Sequence, residues 1–168
     1  NLKLKRLKEW KKKIHDLYKK ISDGFLEREL KYSISKYKLK KIDFLDIIEG
    51  MEMDINKKIV YPSRKNLELY CDKVAGAVGC LSMDVFEIRT RDSRKYAKLL
   101  GRAFQLTNIL RDIHEDSLIG RCYIPRELIR KYININTNPK VLIEESKFKS
   151  VCKDLIDETE RYYFLAGE

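Results

Sequence analysis

The chain has 168 residues, of which 43% are hydrophobic, with only seven glycines and three prolines. This length and composition predict one mostly ordered globular domain and exclude a disordered or low-complexity protein. Lysine and arginine outnumber aspartate and glutamate by 36 to 26, so the formal net charge is +10. A basic balance favours anionic partners, but it does not choose among nucleic acid, phosphorylated small molecules and an anionic membrane surface.

The excess positive charge is concentrated at the start of the chain. Residues 1–20 contain nine lysines and arginines against two acidic residues, which gives this segment +7 of the +10. Two interpretations stay open: a solvated helix face, or peripheral contact of residues 1–21 with anionic lipid. Nucleic-acid binding through the same residues is the weakest option.

The four cysteines give information about the compartment. They are widely separated and form no C-x-x-C pair, so a structural zinc site is not expected. Reduced thiols in the cytoplasm are the simplest interpretation. The apolar runs are also too short for a membrane-spanning helix.

Apolar residues recur at three- and four-residue steps along nearly the whole chain, which predicts an all-α fold. The first element is a basic amphipathic helix over residues 1–21, and Ser63 is placed to cap a later helix. Gly120 is placed to end another helix, and Pro125 to begin one. The predicted helices after the first cover residues 25–35, 41–58, 64–89, 92–120 and 140–166.

A polar stripe runs along the predicted 92–120 helix. Its members recur at steps of three and four residues and are Gln105, Asn108, Asp112, Glu115 and Asp116. Such a stripe is either a solvated helix face or one wall of an internal cavity. The carboxylates repel one another on a bare helix, and Mg²⁺, which prefers oxygen ligands, would remove that repulsion. On spacing alone, the solvated face is the stronger interpretation.

Two side chains that follow Gly120 favour a binding site over a solvated helix face. Arg121 carries a permanently charged guanidinium suited to phosphate oxygens, and Tyr123 adds a hydroxyl group. A metal-holding acidic turn followed by these two side chains has the chemistry of a diphosphate site.

Small residues cluster in the predicted 64–89 helix, as "VAGAVG" over residues 74–79. Each glycine in a helix interior costs about 1 kcal/mol relative to alanine, so the run requires a reason. Close helix–helix packing and room for a substrate chain are the two interpretations, and at this point they are equally good.

Three motifs closely resemble the squalene/phytoene synthase family. They are "GRAFQLTNILRDIHEDSLIGRCYIP" (residues 101–125), "LELYCDKVAGAVGCLS" (67–82) and "IIEGMEMDI" (47–55). The resemblance runs in register over roughly residues 40–130. Together with "IPREL" (124–128), the sequences of these motifs are most similar to the bacterial presqualene diphosphate synthase subgroup.

The resemblance implies an isoprenoid synthase helical bundle that joins two prenyl diphosphates head to head through a cyclopropyl intermediate. Mg²⁺ is the implied cofactor and a prenyl diphosphate is the implied substrate. The residues that match the family pattern are Asp112, Glu115 and Asp116 for metal, Tyr70, Arg121 and Tyr123 for catalysis, and Val74, Ala75, Gly79, Gln105 and Asn108 for substrate.

The family's first aspartate-rich motif, D-x-x-x-D, has no match upstream of the second. Asp43 and Asp46 have the wrong spacing, and Asp54 stands alone in "MEMD". We therefore expect residues 1–168 to form one partial domain that is inactive alone and needs the missing family segments in cis or in trans. A catalytically silent binding or assembly protein is the alternative.

Overall fold

The computed structural model describes residues 2–19, 24–56, 59–135 and 138–167. Within these ranges the regular structure is helical, as predicted. A π-helical turn, Asp72–Gly76, joins α4 to α5. The α-helices are α1 (Leu2–Tyr18), α2 (Phe25–Tyr37), α3 (Lys41–Asn56), α4 (Arg64–Cys71), α5 (Ala77–Val85), α6 (Ser93–Arg111), α7 (Ile113–Leu118), α8 (Arg126–Ile129), α9 (Pro139–Leu142) and α10 (Phe148–Gly167).

Local sequence signals set several of these boundaries. The Ser63 hydroxyl accepts a hydrogen bond from the Asn66 amide at 3.2 Å, which confirms the predicted cap of α4. Gly120 has a φ of 72°, a left-handed conformation that costs glycine little, and the chain leaves the helical path there. The predicted end of the first helix at Ile21 lies outside the described residues, as do positions 57 and 58.

Three predicted helices are interrupted. The 64–89 helix contains the π turn and ends at Val85, and the 92–120 helix breaks at Asp112, whose φ is −98° and ψ is 12°. Aspartate is a weak helix former, and the break lets the following chain turn back. The predicted 140–166 helix is also interrupted, between α9 and α10. Residues 144–147 at the interruption are all polar and offer no apolar side chain to bury.

The main hydrophobic core is built mostly from the second half of the chain, with α4 from the first half. Several of its fully buried members come from α8, α9 and α10 (Leu128, Ile129, Leu142, Val151 and Leu155), and they share the core with residues of α4 and α6. A second, smaller cluster joins α1 to α3 through Leu7, Ile14, Leu17 and Ile48. None of the helices in the described ranges is long and apolar enough to cross a membrane.

Helix α6 packs unusually close to the π turn and to α5. A Cβ atom added at Gly101 would lie 2.7 Å from the Gly76 nitrogen, and one added at Gly79 would lie 2.8 Å from the Ala97 carbonyl oxygen. The Asp72 carboxylate also accepts two hydrogen bonds from Arg102, at 2.6 and 2.8 Å. The glycines and the Asp72–Arg102 ion pair therefore fix the distance of α6 from the π turn and from α5.

A short extended contact ties the segment after α3 to the segment after α7. The Cys122 amide donates to the Ile59 carbonyl and the Tyr61 amide donates to the Cys122 carbonyl, both at 2.9 Å. The Arg126 amide then donates to the Pro62 carbonyl at 2.9 Å. These three bonds bring Tyr123 beside the end of α3, where the candidate site lies.

Candidate active site

The carboxylate of Asp54 joins two buried tyrosines from distant parts of the chain. The Tyr70 hydroxyl donates to Asp54 Oδ2 at 2.9 Å, and the Tyr123 hydroxyl donates to Asp54 Oδ1 at 2.8 Å. Both rings are buried and stack with their centroids 5.3 Å apart. One acidic side chain therefore orients both aromatic side chains that were predicted to be catalytic.

Arg121 completes the group, which we call the Asp54 cluster (Asp54, Tyr70, Arg121 and Tyr123). Its guanidinium donates to the Asp54 carbonyl oxygen at 3.1 Å and to the Tyr123 hydroxyl at 3.3 Å. These bonds hold a positive charge at the rim of the two rings. The structure thus brings together the three residues predicted for catalysis and adds a fourth.

Both tyrosines of the cluster remain protonated at neutral pH. Burial, followed by the hydrogen bond to Asp54 and its negative charge, raises the pKa of Tyr123 to about 12. Burial and the Asp54 charge also raise the pKa of Tyr70. The two phenols are therefore neutral hydrogen-bond donors, and they are unsuited to act as bases.

A mostly apolar cavity of about 450 Å³ opens beside the cluster. It lies between the end of α3, the 59–62 segment and α4, and both clustered tyrosines form part of its wall. The other lining residues are Glu49, Glu52, Met53, Ile59, Val60, Pro62, Asn66 and Leu67. A pocket of this size and polarity suits an apolar chain that carries a charged head group.

Helix α3 reaches the cluster because Gly50 has no side chain. A Cβ atom at this position would lie 2.6 Å from Val74 Cγ1 and 3.1 Å from Lys73 Cβ. Lys73 also pairs with Asp46 at 2.8 Å and with Glu49 at 2.7 Å, which clamps α3 to the π turn. Asp54 follows Gly50 by one helical turn, so this contact places its carboxylate within reach of Tyr70.

The predicted metal-binding carboxylates lie around the break between α6 and α7. Asp116 is half-buried, and burial raises its pKa; the charges of Asp112, Asp54 and Glu115 add to the rise, while Arg121 opposes it. Asp112 is more exposed and pairs with Arg111 at 2.6 and 2.7 Å, which lowers its pKa. Asp116 is therefore a half-buried carboxylate among several like charges, with Arg121 as its opposing positive charge.

This donor set has the chemistry that a divalent cation requires. Mg²⁺ is commonly held by one or two carboxylates together with water and substrate phosphate, and the half-buried Asp116 carboxylate among like charges would gain from a cation. The described residues contain no group of three or more metal-ligating side chains already arranged around one point. Asp112 and Asp116 would hold the ion, with Glu115, which is exposed, at the edge.

The residues predicted to bind substrate fall into two sets. Gln105 and Asn108 lie half-buried on α6, in the turns before Asp112. Val74, Ala75 and Gly79 are also half-buried, but they do not line the 450 Å³ cavity. Gly79 packs closely against Ala97, in agreement with the close-packing interpretation. The role of all five residues in substrate binding stays a prediction.

Asp54 is the residue that reasoning from the sequence missed. It was considered only as an incomplete aspartate motif, and its partners are 16 and 69 positions away in the sequence. The available signal was its position at the end of "IIEGMEMD", one turn after a helical glycine.

The family is decided by comparison with known proteins. The model of the squalene/phytoene synthase family matches residues 1–167. The chain belongs to this family. Its predicted recognition from three motifs and its predicted isoprenoid synthase fold are thereby confirmed.

Individual relatives agree with this assignment. The chain is 41% identical over 162 residues to the presqualene diphosphate synthase of Rhodopseudomonas palustris, covering 96% of this chain and 58% of that protein. It is 44% identical over 134 residues to the enzyme of the same name from Zymomonas mobilis, covering 80% and 46%. The chain thus spans about half the length of the curated relatives it matches.

A solved structure gives the same fold. The crystal structure of a dehydrosqualene synthase in complex with a ligand superposes with a TM-score of 0.83 at 29% sequence identity. The match covers 95% of this chain and 56% of that one. The names of these relatives describe synthases of presqualene diphosphate and of dehydrosqualene.

Proposed function

We propose that this chain carries one wall of the active site of a Mg²⁺-dependent prenyl transferase, which joins two farnesyl diphosphates into presqualene diphosphate or squalene. The observation that supports it most is the Asp54 cluster, whose stacked tyrosines border an apolar cavity. The Asp116 carboxylate, just after the α6–α7 break, is close enough to interact with the charges of both Arg121 and Asp54.

The cluster suits a reaction that passes through a carbocation. The rings of Tyr70 and Tyr123 form part of the cavity wall, where their π-systems would attract a cation, and their hydroxyl protons are held on Asp54. Since both phenols stay neutral, they would stabilise positive charge without removing a proton from it. The apolar lining would disfavour water, which captures carbocations.

The anionic end of the substrate fits the opposite side of the cluster. Arg121 supplies a fixed positive charge for diphosphate oxygens. When bound by Asp112 and Asp116, Mg²⁺ would neutralise the charge that develops on the departing diphosphate. Gln105 and Asn108 follow the same face of α6 and are proposed to contact the diphosphate or its hydration shell.

Turnover also requires the family segments that this chain does not match. We propose that the first aspartate-rich motif is supplied in cis or in trans, and that the 168 residues alone are inactive. The test is to join the chain to the remaining segments of the Rhodopseudomonas palustris relative, as one fusion and as two co-expressed pieces. Conversion of labelled farnesyl diphosphate and release of diphosphate are then measured with and without Mg²⁺.

The completed protein should turn over, and Asp112→Ala or Asp116→Ala should each lower kcat by about 10²-fold or more. Asp157→Ala is the matched control, because Asp157 is an exposed carboxylate on α10. Normal kcat in both metal-site variants would contradict the site assignment. A completed, folded protein without turnover would contradict the proposed reaction and favour the silent binding protein.

A further inference from the structure

Two buried carboxylates share one guanidinium at a place outside the candidate active site. Asp43, in the first turn of α3, is 2% exposed, and Asp84, in the last turn of α5, is 8% exposed. Arg94 Nη2 donates to Asp43 Oδ1 at 2.5 Å, and Arg94 Nη1 lies 3.7 Å from Asp84 Oδ2. Along α3, Asp43 lies about 16 Å before Asp54. The Asp43 cluster (Asp43, Asp84 and Arg94) is therefore separate from the Asp54 cluster.

The Asp43 cluster holds one more negative charge than positive charge. It contains two carboxylates and one guanidinium, and within the described ranges no other cation pairs with either carboxylate. Burying an uncompensated charge is costly. The helix dipoles do not supply the missing charge, because Asp43 lies at the positive end of α3 and Asp84 at the negative end of α5. The compensating charge therefore has to come from a proton or from a bound cation.

Each carboxylate of the Asp43 cluster also has an oxygen that accepts no hydrogen bond. Asp43 Oδ2 and Asp84 Oδ2 are both buried, and no described residue donates to them. Asp84 Oδ2 points at Arg94, but its distance of 3.7 Å from Nη1 is too long for a hydrogen bond. Buried polar atoms in folded proteins are normally paired. A cation that contacts these two oxygens would satisfy both their bonding capacity and the missing charge.

Neutral oxygen atoms lie near the two carboxylates. The Tyr18 hydroxyl donates to the carbonyl oxygen of the buried Leu39 at 2.7 Å. Burial, followed by the charges of Asp43 and Asp84, raises the pKa of Tyr18 to about 12, so this phenol lies within the field of both carboxylates and stays protonated at neutral pH. Its oxygen keeps lone pairs that can face a cation. Carboxylate, hydroxyl and carbonyl oxygens are the donors that hard cations prefer.

We propose that the Asp43 cluster binds one monovalent cation, Na⁺ or K⁺, through the free oxygens of Asp43 and Asp84. A single positive charge makes the cluster neutral, whereas Mg²⁺ would leave it positive and requires a nearly ideal octahedron of ligands. A water molecule would satisfy the hydrogen bonds but not the charge. The bound ion would hold the start of α3 against α5 and α6, and α3 carries Asp54 near its other end.

The test is independent of the transferase activity, since it measures the melting temperature, Tm, of the whole 168-residue chain. Circular dichroism gives Tm in the chlorides of Na⁺, K⁺ and tetramethylammonium at equal ionic strength, so that screening is the same. Tetramethylammonium has the same charge but is too bulky to contact buried carboxylates. Na⁺ or K⁺ should raise the Tm of the wild type by about 3 °C over tetramethylammonium, and the rise should saturate with concentration.

Asp84→Asn makes the Asp43 cluster neutral without an ion, so its Tm should be the same in the three salts. Asp46→Asn is the matched control, because Asp46 is a half-buried carboxylate on α3 that pairs with Lys73 instead. It should keep the cation dependence of the wild type. An equal Tm of the wild type in all three salts would overturn the proposal even if Asp84→Asn failed to fold. So would a cation dependence that persists in Asp84→Asn, or a stability that responds to pH but not to the cation, which would assign the missing charge to a proton.

Discussion

Two regions of the molecule, the main core around α4, α6 and α8–α10 and the small α1–α3 cluster, differ in how their polar residues are placed. Beside the main core, Asp54 pairs with the buried Tyr70 and Tyr123. Around the small cluster, most of the charged side chains of α1 and α2 are exposed. The difference indicates that the candidate site and most of the stability belong to the larger core, whereas the α1–α3 region contributes less to both.

The largest expected effect comes from a matched pair of leucine truncations. Leu155→Ala in the main core should lower the free energy of unfolding by about 3–4 kcal/mol, because a completely buried side chain leaves a cavity. Leu7→Ala in the smaller cluster should cost about 2 kcal/mol. Urea denaturation of both variants measures the two values. Equal losses would contradict the unequal division of stability.

Gly50→Ala tests how α3 delivers Asp54 to the cluster. The new methyl group would meet Val74 at 2.6 Å, so the helix must shift, at a cost of about 2 kcal/mol. The shift should also break the Tyr70–Asp54 bond, which tyrosine fluorescence and the rate of hydrogen exchange report. Gly167→Ala is the control, since nothing lies within 4 Å of that position. If both substitutions were harmless, the close approach would not position Asp54.

Tyr123→Phe removes one of the two donors to Asp54 and should cost about 1.5 kcal/mol at pH 7, the worth of a hydrogen bond to a charged group. The pKa of Tyr123 is raised from 10 to about 12, so the folded protein holds this proton more tightly than the unfolded chain. The stability that this contributes is complete below pH 10 and is lost as the pH rises to 12. The cost of Tyr123→Phe should therefore shrink over that window.

Tyr132→Phe is the comparison for this variant. Tyr132 donates to Asp154 at 3.0 Å where water is closer at hand than in the Asp54 cluster. Its loss should cost less stability than the loss of the Tyr123 hydroxyl. A pH-independent cost for Tyr123→Phe between pH 7 and 12 would show that its hydroxyl proton does not contribute to folding.

The smallest expected effect is a gain in the free energy of unfolding, whereas the substitutions above lower it. The pKa of Asp116 is raised, so its ionised form opposes folding, and the opposition grows as the pH rises through that pKa. Asp116→Asn should stabilise the metal-free chain at pH 7 by about 0.5 kcal/mol and change nothing in acid. Glu115→Gln removes the charge of an exposed neighbour and should stabilise the chain less than Asp116→Asn does. Destabilisation by Asp116→Asn would mean that the carboxylate is satisfied without a cation.

The sequence predicted those parts of the fold that depend on neighbouring residues. The all-α class, the Ser63 cap and the end at Gly120 follow from periodicity, a hydroxyl side chain and a glycine, each of which acts within one turn. The π turn at Asp72–Gly76 could not be predicted in this way. It forms where α6 presses against the backbone, a contact that joins residues about 25 positions apart.

The candidate site was predictable to a similar extent. Tyr70, Arg121 and Tyr123 were found through their motifs, and they do meet in space. Asp54, which joins them, was missed because its function depends on tertiary contacts with α4 and with the segment after α7. The break at Asp112 was also missed, because aspartate is only a weak helix former and the apolar periodicity continues on both sides of it.

Two cysteines directly follow or precede the tyrosines of the cluster. Cys71 and Cys122 are both buried, and burial raises their pKa values to about 12 and about 11. The thiolate is the nucleophile that attacks an alkylating reagent, so neither residue reacts until its segment opens. The alkylation rates of Cys71 and Cys122 in the native protein therefore measure how often the segments that carry Tyr70 and Tyr123 open, without any introduced label.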